Sequence, residues 1–271
     1  MLHERIYFEN ENENVYLDTY VADKVGKYTK SAILVIPGGG YSCICSEREG
    51  EPIALAFMPY GYNAFVLHYS VSREKKYPSQ LIQVSKAIKH IKDNAEKYNI
   101  DPDKVFVVGF SAGGHLAGSI ATMWHKQDIY DEVDMEYGYN KPTGAMLVYP
   151  VIAGGKDYSH EGSFKNLLAN DNPTEEELRM VSIDANVSEK SCPAYIVHTA
   201  TDQVVNVKNS LDLARAYSEA GVAFEMHIYP EAPHGVALGN EITECGCEAF
   251  NNPCITKWVE NAADWAKFIT K

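Results

Sequence analysis

The sequence predicts an α/β fold: a mostly parallel central sheet with helices on both faces and a short insertion over its carboxyl edge. Strand and helix patterns alternate from residue 31 to the end of the chain, as in repeated βαβ units. The strand candidates are short and apolar, and the segments between them carry apolar residues at helical spacing. The chain has 271 residues, which suits one domain of this kind, and we assign residues 1–271 to it.

Six short runs are the main strand candidates, because they are rich in Val, Ile, Leu and aromatic residues and are bounded by Pro, Gly, Asp or Ser. We expect them to be buried on both faces, as the strands of parallel sheets are. They cover residues 32–36, 64–69, 105–109, 145–149, 194–199 and 224–229. Before them, residues 5–8 and 15–21 show the pattern of an antiparallel pair at the edge of the sheet.

The helix candidates carry apolar residues three or four positions apart. They cover residues 52–59, 78–99, 114–124, 210–220 and 255–269. Residues 151–191 are more than a single crossover helix requires, so we interpret them as a lid-like insertion over the sheet edge. Within the insertion, Asn172-Pro173-Thr174 followed by three glutamates predicts a helix start, because carboxylates favour the positive end of the helix dipole.

Charge and composition narrow the classes of function. The net charge is −13, from 24 basic and 37 acidic residues, which disfavours binding to nucleic acid or to an anionic membrane. The chain shows no secretory signal and no apolar run of about 18 residues, so we expect a cytoplasmic protein with reduced cysteines. Cys245, Cys247 and Cys254 lie close in sequence, but their spacing fits no common zinc pattern, and we predict no metal site.

The most informative segment is Gly109-Phe110-Ser111-Ala112-Gly113-Gly114, which follows the apolar run at residues 105–108. A G-x-S-x-G sequence between a buried strand and a helix is the pattern of a nucleophile elbow. The turn is tight, so the residues beside the serine must lack bulky side chains, and the serine hydroxyl projects above the sheet. The alternative is a glycine-rich turn with an incidental serine.

A serine hydroxyl is a weak nucleophile at neutral pH and needs a base, which in turn needs an orienting carboxylate. Asp202 follows the strand candidate at residues 194–199, and His234 lies in a Pro/Gly loop after the strand candidate at residues 224–229. Both therefore fall at the carboxyl edge of the sheet, with Ser111. The alternative role of Asp202 is simply to cap the helix that follows. The competing acid Asp212 lies inside a predicted helix, and His115 is expected to pack beneath the elbow.

Backbone donors for a developing oxyanion are predicted at two places. One is the N–H of Ala112, the residue after the nucleophile. The other is the loop Pro37-Gly38-Gly39-Gly40-Tyr41, in which successive glycines allow positive φ angles and close approach to an acyl group. We name Gly39 and Gly40 as the loop donors; the alternative is a plain flexible turn.

These motifs together resemble the α/β-hydrolase superfamily of serine esterases, over nearly the whole chain from about residue 31. The segment Glu49-Gly50-Glu51-Pro52-Ile53-Ala54, with the glycine loop, resembles a narrower group: the esterases related to carbohydrate acetylesterases and feruloyl esterases, often called xylan esterases or esterase/lipases. The chain departs from the hormone-sensitive-lipase-like pattern at Pro37, where those enzymes usually carry a histidine. The sequence before Asp202 also differs from the usual His-Gly-x-x-Asp.

The resemblance implies a serine carboxylic-ester hydrolase that cleaves short acyl esters, with acetyl groups on sugars or oligosaccharides as the expected substrate. It implies Ser111 as nucleophile, His234 as base and Asp202 as orienting acid, an acyl-enzyme intermediate, and no metal or organic cofactor. Tyr41, Tyr158 and Phe164 are the candidate substrate-binding residues. The two aromatics of the insertion are expected to be exposed for stacking on a sugar or aryl alcohol, with packing on the sheet edge as the alternative.

Two kinds of rival remain open. An arylformamidase or an oligopeptidase-like amidase would use the same triad, and a non-catalytic ligand receptor of the same fold would usually have lost a triad member. The expected partner is a small ester substrate, with neither nucleic acid nor membrane, and a homo-oligomer is left open.

Overall fold

The computed structural model describes residues 1–8, 14–71 and 73–271. The strands of this part of the chain are β1 (Arg5–Tyr7), β2 (Tyr16–Tyr20), β3 (Lys30–Ile36), β4 (Tyr62–His68), β5 (Ile100–Phe110), β6 (Ala145–Val148), β7 (Ala194–Thr199) and β8 (Phe224–Tyr229). They form one sheet in the order β1-β2-β4-β3-β5-β6-β7-β8. Strands β3 to β8 are parallel to one another, whereas β2 pairs antiparallel with both β1 and β4. The predicted parallel sheet and antiparallel edge pair are confirmed.

Helices connect these strands and cover both faces of the sheet. Those in the described residues are α1 (Ser46–Glu49), α2 (Glu51–Phe57), α3 (Ser79–Asp93), α4 (Ala95–Tyr98), α5 (Ala112–Met123), α6 (Gln127–Tyr130), α7 (Glu161–Leu168), α8 (Glu175–Val181), α9 (Lys208–Glu219) and α10 (Trp258–Ile269). The predicted helix over residues 78–99 is divided at Asn94 into α3 and α4. Helix α5 begins directly after Ser111, two residues earlier than predicted.

The core consists of two apolar layers, one on each face of the sheet. Side chains alternate along a strand, so Leu34 and Ile36 of β3 pack into one layer while Ile33 and Val35 pack into the other. The first layer includes buried residues of α3, α5 and α9, and the second includes buried residues of α2 and α10. Burial on both faces explains why the sequence of β3 is a continuous apolar run.

Strand β8 departs from the expectation of complete burial. It lies at the edge of the sheet and pairs only with β7 among the described residues. Phe224 and Ile228 on this strand are each 37 % exposed. An apolar run shows that a segment favours a sheet, but it does not reveal whether the strand has a neighbour on both sides.

The 151–191 insertion lies between β6 and β7 and contains α7 and α8. The predicted helix start is confirmed, because Thr174 caps α8. Its Oγ1 accepts the Glu177 N–H at 3.2 Å, and a Glu177 carboxylate oxygen accepts the Thr174 N–H at 2.8 Å. The assignment of residues 1–271 to a single domain stays a prediction.

Candidate active site

Ser111 lies in the sharp turn between β5 and α5. Its backbone has φ 52° and ψ −116°, a conformation that non-glycine residues rarely adopt. The flanking glycines are required by space, because a Cβ on Gly109 would lie 2.2 Å from the Gly113 carbonyl oxygen. A Cβ on Gly113 would lie 2.1 Å from the Ile36 carbonyl oxygen. The predicted turn geometry therefore depends on both glycines of the motif.

The three residues predicted as a triad lie in one hydrogen-bonded chain. Nε2 of His234 lies 2.8 Å from Ser111 Oγ, and Nδ1 lies 2.7 Å from Asp202 Oδ2. An ionised carboxylate only accepts hydrogen bonds, so Nδ1 carries the proton and donates to Asp202. Nε2 then accepts from the Ser111 hydroxyl. This is the arrangement in which an imidazole can remove the serine proton.

Asp202 is buried and is held by both of its oxygens. Oδ1 accepts the N–H groups of Val204 and Val205, each at 2.9 Å, while Oδ2 faces His234 and lies 3.4 Å from His198 Nε2. Burial alone would raise the pKa of Asp202, but the hydrogen bonds from His198 and His234 hold that pKa well below its usual range. Asp202 thus caps a backbone turn and faces the histidine at the same time.

The competing carboxylate of Asp212 is directed elsewhere. It lies on α9, where it accepts a hydrogen bond from the Tyr158 hydroxyl and lies 3.1 Å from Arg215. A side chain already engaged on the outer face of a helix does not compete with Asp202 for His234.

The glycine loop presents free backbone donors beside the elbow. Gly39 has φ 129° and Gly40 has φ 63°, and a Cβ on Gly39 would lie 2.1 Å from the Cys43 carbonyl oxygen. Within the described residues, the N–H groups of Gly39, Gly40 and Ala112 donate to no protein acceptor. The Gly38 N–H is occupied, since it donates to Glu49 Oε2 at 2.8 Å. The loop can therefore offer the predicted Gly39 and Gly40 donors to an oxyanion, but not that of Gly38.

Two of the predicted substrate-binding side chains are buried, which corrects those expectations. Tyr41 is 2 % exposed, and its hydroxyl lies 2.8 Å from His115 Nδ1. Phe164 is 1 % exposed and packs edge-on against the His115 ring, with ring centroids 5.4 Å apart. Tyr41 has φ 57°, and its ring packs edge-on against the rings of Tyr69 and His115. Phe164 packs into the protein, as the stated alternative expects, because the helical spacing in α7 places its side chain on the inner face.

Tyr158 is only partly buried, and its part in substrate binding stays a prediction. His115 packs beneath the elbow as expected, because it is buried and its Nε2 donates to the Val181 carbonyl at 2.8 Å.

The insertion borders the site through α7. Asn166 Nδ2 donates to the Gly40 carbonyl at 2.8 Å, so α7 is attached to the glycine loop. His160, just before α7, has its Nδ1 2.9 Å from Ser163 Oγ. Burial lowers the pKa of His160, and the charges of His234 and Asp202 also act on it. This histidine near the triad was not identified from the sequence, where it had no motif around it.

Two more residues near His234 were missed. Glu49 is a buried carboxylate that bonds the Tyr149 hydroxyl at 2.8 Å, and the Tyr149 ring lies against the His234 ring with centroids 4.9 Å apart. Glu49 belongs to the segment on which the family resemblance rests, which was the available signal. Tyr149 follows β6 with φ 37°, and nothing in the sequence indicates that turn.

Residues 1–8, 14–71 and 73–271 form neither a metal-binding cluster nor a membrane-spanning helix. No cluster of three or more His, Cys, Asp or Glu side chains there could hold a metal ion. Cys245, Cys247 and Cys254 are exposed free thiols. Among these residues, no helix combines the length and apolar character needed to cross a membrane.

Comparison with protein families identifies two matches. The BD-FAE family matches residues 17–217, and the dienelactone hydrolase family matches residues 179–261. The chain is similar to endo-1,4-beta-xylanase B of Butyrivibrio fibrisolvens, with 40 % identity over 78 % of this chain and 33 % of that protein. It is also similar to acetylxylan esterase of Xylanibacter ruminicola, with 30 % identity over 77 % of this chain and 41 % of that protein. The chain thus spans well under half the length of these two relatives.

Solved structures match over nearly the full length. The acetyl ester-xyloside bifunctional hydrolase of Caldicellulosiruptor lactoaceticus is 32 % identical, with a TM-score of 0.83 over 98 % of this chain and 96 % of that one. A carboxylesterase of Lactobacillus plantarum has the same fold at 24 % identity, with a TM-score of 0.85 over 99 % of this chain and 98 % of that one. With the fold, the elbow and the family match in agreement, the chain belongs to the BD-FAE family of the α/β-hydrolase superfamily.

Proposed function

We propose that this chain is a serine carboxylic-ester hydrolase that removes short acyl groups, acetyl above all, from sugar or oligosaccharide alcohols. The observation that carries the proposal is the hydrogen-bonded chain from Ser111 through His234 to Asp202, next to the unoccupied N–H groups of the glycine loop. Relatives named as an acetylxylan esterase and an acetyl ester-xyloside hydrolase support the substrate class.

The reaction proceeds in two halves. Ser111 Oγ attacks the ester carbonyl while its proton passes to His234 Nε2, and the N–H groups of Ala112, Gly39 and Gly40 bind the oxyanion. The tetrahedral intermediate collapses, and the C–O bond to the alcohol breaks as His234 returns the proton to the leaving oxygen. Water then attacks the acyl-enzyme by the same route and releases the carboxylic acid. Asp202 stabilises the imidazolium that forms in each half.

A substrate panel tests this proposal. We expect acetate release from acetylated xylo-oligosaccharides, and faster turnover of p-nitrophenyl acetate or butyrate than of octanoate or decanoate. Each acyl CH₂ that finds no apolar wall forgoes up to about 0.8 kcal/mol of burial, so an open site gains little from long chains. Faster cleavage of an N-formyl arylamine or a peptide amide than of any ester would favour an amidase. Absence of turnover with every substrate would favour a receptor.

The cellular location remains a separate proposal. All six cysteines are free thiols, a state that a reducing compartment maintains, and we propose a cytoplasmic protein on that ground. Fractionation of cells that express the complete gene tests it, and recovery outside the cytoplasm would contradict it.

A further inference from the structure

Glu49 is a buried carboxylate that joins two loops of the site. It ends α1 and is 3 % exposed. Its Oε2 accepts the Gly38 N–H of the glycine loop at 2.8 Å, and its Oε1 accepts the Tyr149 hydroxyl, also at 2.8 Å. Each carboxylate oxygen therefore accepts a hydrogen bond from a different segment of the chain. With one hydrogen bond on each oxygen, Glu49 is a structural link within the site.

The space around Glu49 places it directly behind the glycine loop and the nucleophile. A Cβ added to Gly38 would lie 2.8 Å from Glu49 Oε2 and 3.0 Å from Ser111 Cβ. The loop residue bonded to Glu49 is thus in contact with the catalytic elbow. A shift of the carboxylate would move the donors of Gly39 and Gly40 relative to Ser111, and displacements of about 1 Å are costly at such a site.

Tyr149 connects Glu49 to His234 and its loop. Its ring lies against His234 with centroids 4.9 Å apart, and its hydroxyl oxygen accepts the Ala237 N–H at 3.1 Å. Ala237 lies three residues beyond His234 in the same loop. The chain of contacts runs from Gly38 through Glu49 and Tyr149 to the histidine loop, so one carboxylate holds both the oxyanion donors and the base.

The charge of Glu49 acts on the same histidine. Burial raises the pKa of Glu49, while the hydrogen bonds from Tyr149 and Gly38, the positive charge of His234 when its imidazole is protonated, and that of Arg48 oppose the rise. Arg48 does not bond the Glu49 carboxylate, because its guanidinium donates to the Gly235 carbonyl at 2.9 Å and lies over the Phe250 ring. In the described residues, the charged or titratable groups around His234 are Asp202, Glu49, Arg48, Tyr149 and His160.

We propose that Glu49 is a positioning residue of the reaction. It holds the glycine loop in the position in which the Gly39 and Gly40 N–H groups can donate to the oxyanion. It also holds the His234 ring in place through Tyr149. Its negative charge also favours the imidazolium that forms in each half-reaction, from a side other than that of Asp202. This inference rests on the proposed ester hydrolysis and adds a second carboxylate to it.

Two variants separate the parts of the link, and a third is the matched control. Glu49→Gln keeps the size and one acceptor oxygen but removes the charge. Tyr149→Phe keeps the charge and the ring but removes the hydroxyl that joins them. Glu47→Gln changes an exposed acid on the same helix. The assay measures kcat and KM for p-nitrophenyl acetate from pH 5 to 9, with urea unfolding of each variant as a check on folding.

We expect Glu49→Gln to lower kcat about 10- to 100-fold with KM within about twofold, because the displaced donors act mainly in the transition state. The acid limb of its kcat/KM profile should move to lower pH, because a protonated imidazole loses a nearby negative charge. Tyr149→Phe should lower kcat less, by about 3- to 10-fold, with the acid limb in place. Glu47→Gln should match the wild type.

The inference is overturned if Glu49→Gln folds and keeps both its kcat within twofold and its acid limb in place. If Glu49→Gln does not fold, a Tyr149→Phe variant with unchanged kcat overturns it instead. Equal losses in Glu49→Gln and Glu47→Gln would also contradict it. Failure of the proposed function is distinguishable, because it would appear in the wild type as the absence of Ser111-dependent ester hydrolysis.

Discussion

The carboxyl edge of the sheet and the 151–191 insertion are neighbours, but they hold their residues differently. At the sheet edge, each group of the triad has a fixed partner, from Ser111 through His234 to the two bonded oxygens of Asp202. The insertion instead has an apolar inner face and a polar outer surface with cavities of about 340 and 400 Å³. At the sheet edge the chemistry demands particular residue types on a particular backbone. The insertion is held by the packing of its inner face and by hydrogen bonds such as that of Asn166 to Gly40.

His115 joins the two regions. It lies on α5 below the elbow, and Tyr41 of the glycine loop donates to its Nδ1. Its Nε2 donates to the carbonyl of Val181 at the end of α8, and its ring packs against Phe164 of α7. Changes at the sheet edge should therefore affect chemistry, changes at His115 should affect stability, and changes on the outer insertion should affect substrate preference.

The largest effect is expected at the nucleophile. Ser111→Ala should lower kcat/KM for p-nitrophenyl acetate by about 10⁴-fold or more, because triad members act as a unit. The matched control is Ser119→Ala, which removes a buried hydroxyl on the same helix that bonds only the His115 carbonyl. Activity of Ser111→Ala within tenfold of the wild type would show that the sheet edge does not carry the chemistry.

Asp202 at the sheet edge and Asp212 on α9, which bonds Tyr158 of the insertion, sharpen the comparison. Asp202→Asn should lower kcat by about 10³- to 10⁴-fold, because an amide favours the wrong imidazole tautomer. Asp212→Asn should be nearly neutral for kcat, because that carboxylate contacts Tyr158 and Arg215 instead. Steady-state kinetics of both variants provide the check, and a reversed ranking would mean that the acid is misassigned.

At the junction we expect a pH effect on stability. Burial lowers the pKa of His115 to about 4, against about 6.5 for an unperturbed histidine. The folded protein binds this proton less readily than the unfolded chain does. The contribution of neutral His115 to the free energy of unfolding is therefore present above about pH 6.5 and is lost as the pH falls toward 4. The loss amounts to about 3 kcal/mol in the free energy of unfolding.

Urea unfolding at pH 7.5, 6 and 4.5 measures that dependence. The variant His115→Gln keeps a donor and an acceptor but cannot be protonated, so its free energy of unfolding should fall less steeply over this range than that of the wild type. Parallel curves for the two proteins would contradict the assignment of this pH dependence to His115.

The smallest effect is expected on the outer insertion. Tyr158→Ala should raise KM for acetylated xylo-oligosaccharides about 2- to 12-fold, the equivalent of about 0.5–1.5 kcal/mol for a lost aromatic contact. Its kcat for p-nitrophenyl acetate should stay within about twofold. Tyr137→Ala, at a tyrosine 57 % exposed outside the insertion, is the control. An unchanged KM would remove Tyr158 from the substrate-binding residues.

The site residues that could be predicted from the sequence lie at the sheet edge rather than in the insertion. Ser111, Asp202 and His234 were recognisable because the chemistry demands those residue types, each at the end of a strand that an apolar run marks. The parallel sheet followed from the alternation of strand and helix patterns.

The features that could not be predicted from the sequence depend on side-chain direction and on long-range contacts rather than on residue type. Tyr41 and Tyr149 are buried and have positive φ angles, and at Tyr149 no neighbouring glycine indicates such a turn. Phe164 was expected on the surface, although its place on α7 puts it in the core. Glu49 gave no sign that it would be buried, because its partners Gly38 and Tyr149 come from distant parts of the chain.

We propose Ser111 as the nucleophile of an active serine esterase. The most direct test of this assignment is labelling of the native protein with a fluorophosphonate, followed by the intact mass and peptide mapping. We expect one adduct per chain, on the peptide that contains Ser111, with loss of esterase activity in proportion to labelling. An adduct on a different residue, or esterase activity that survives complete labelling of Ser111, would contradict it.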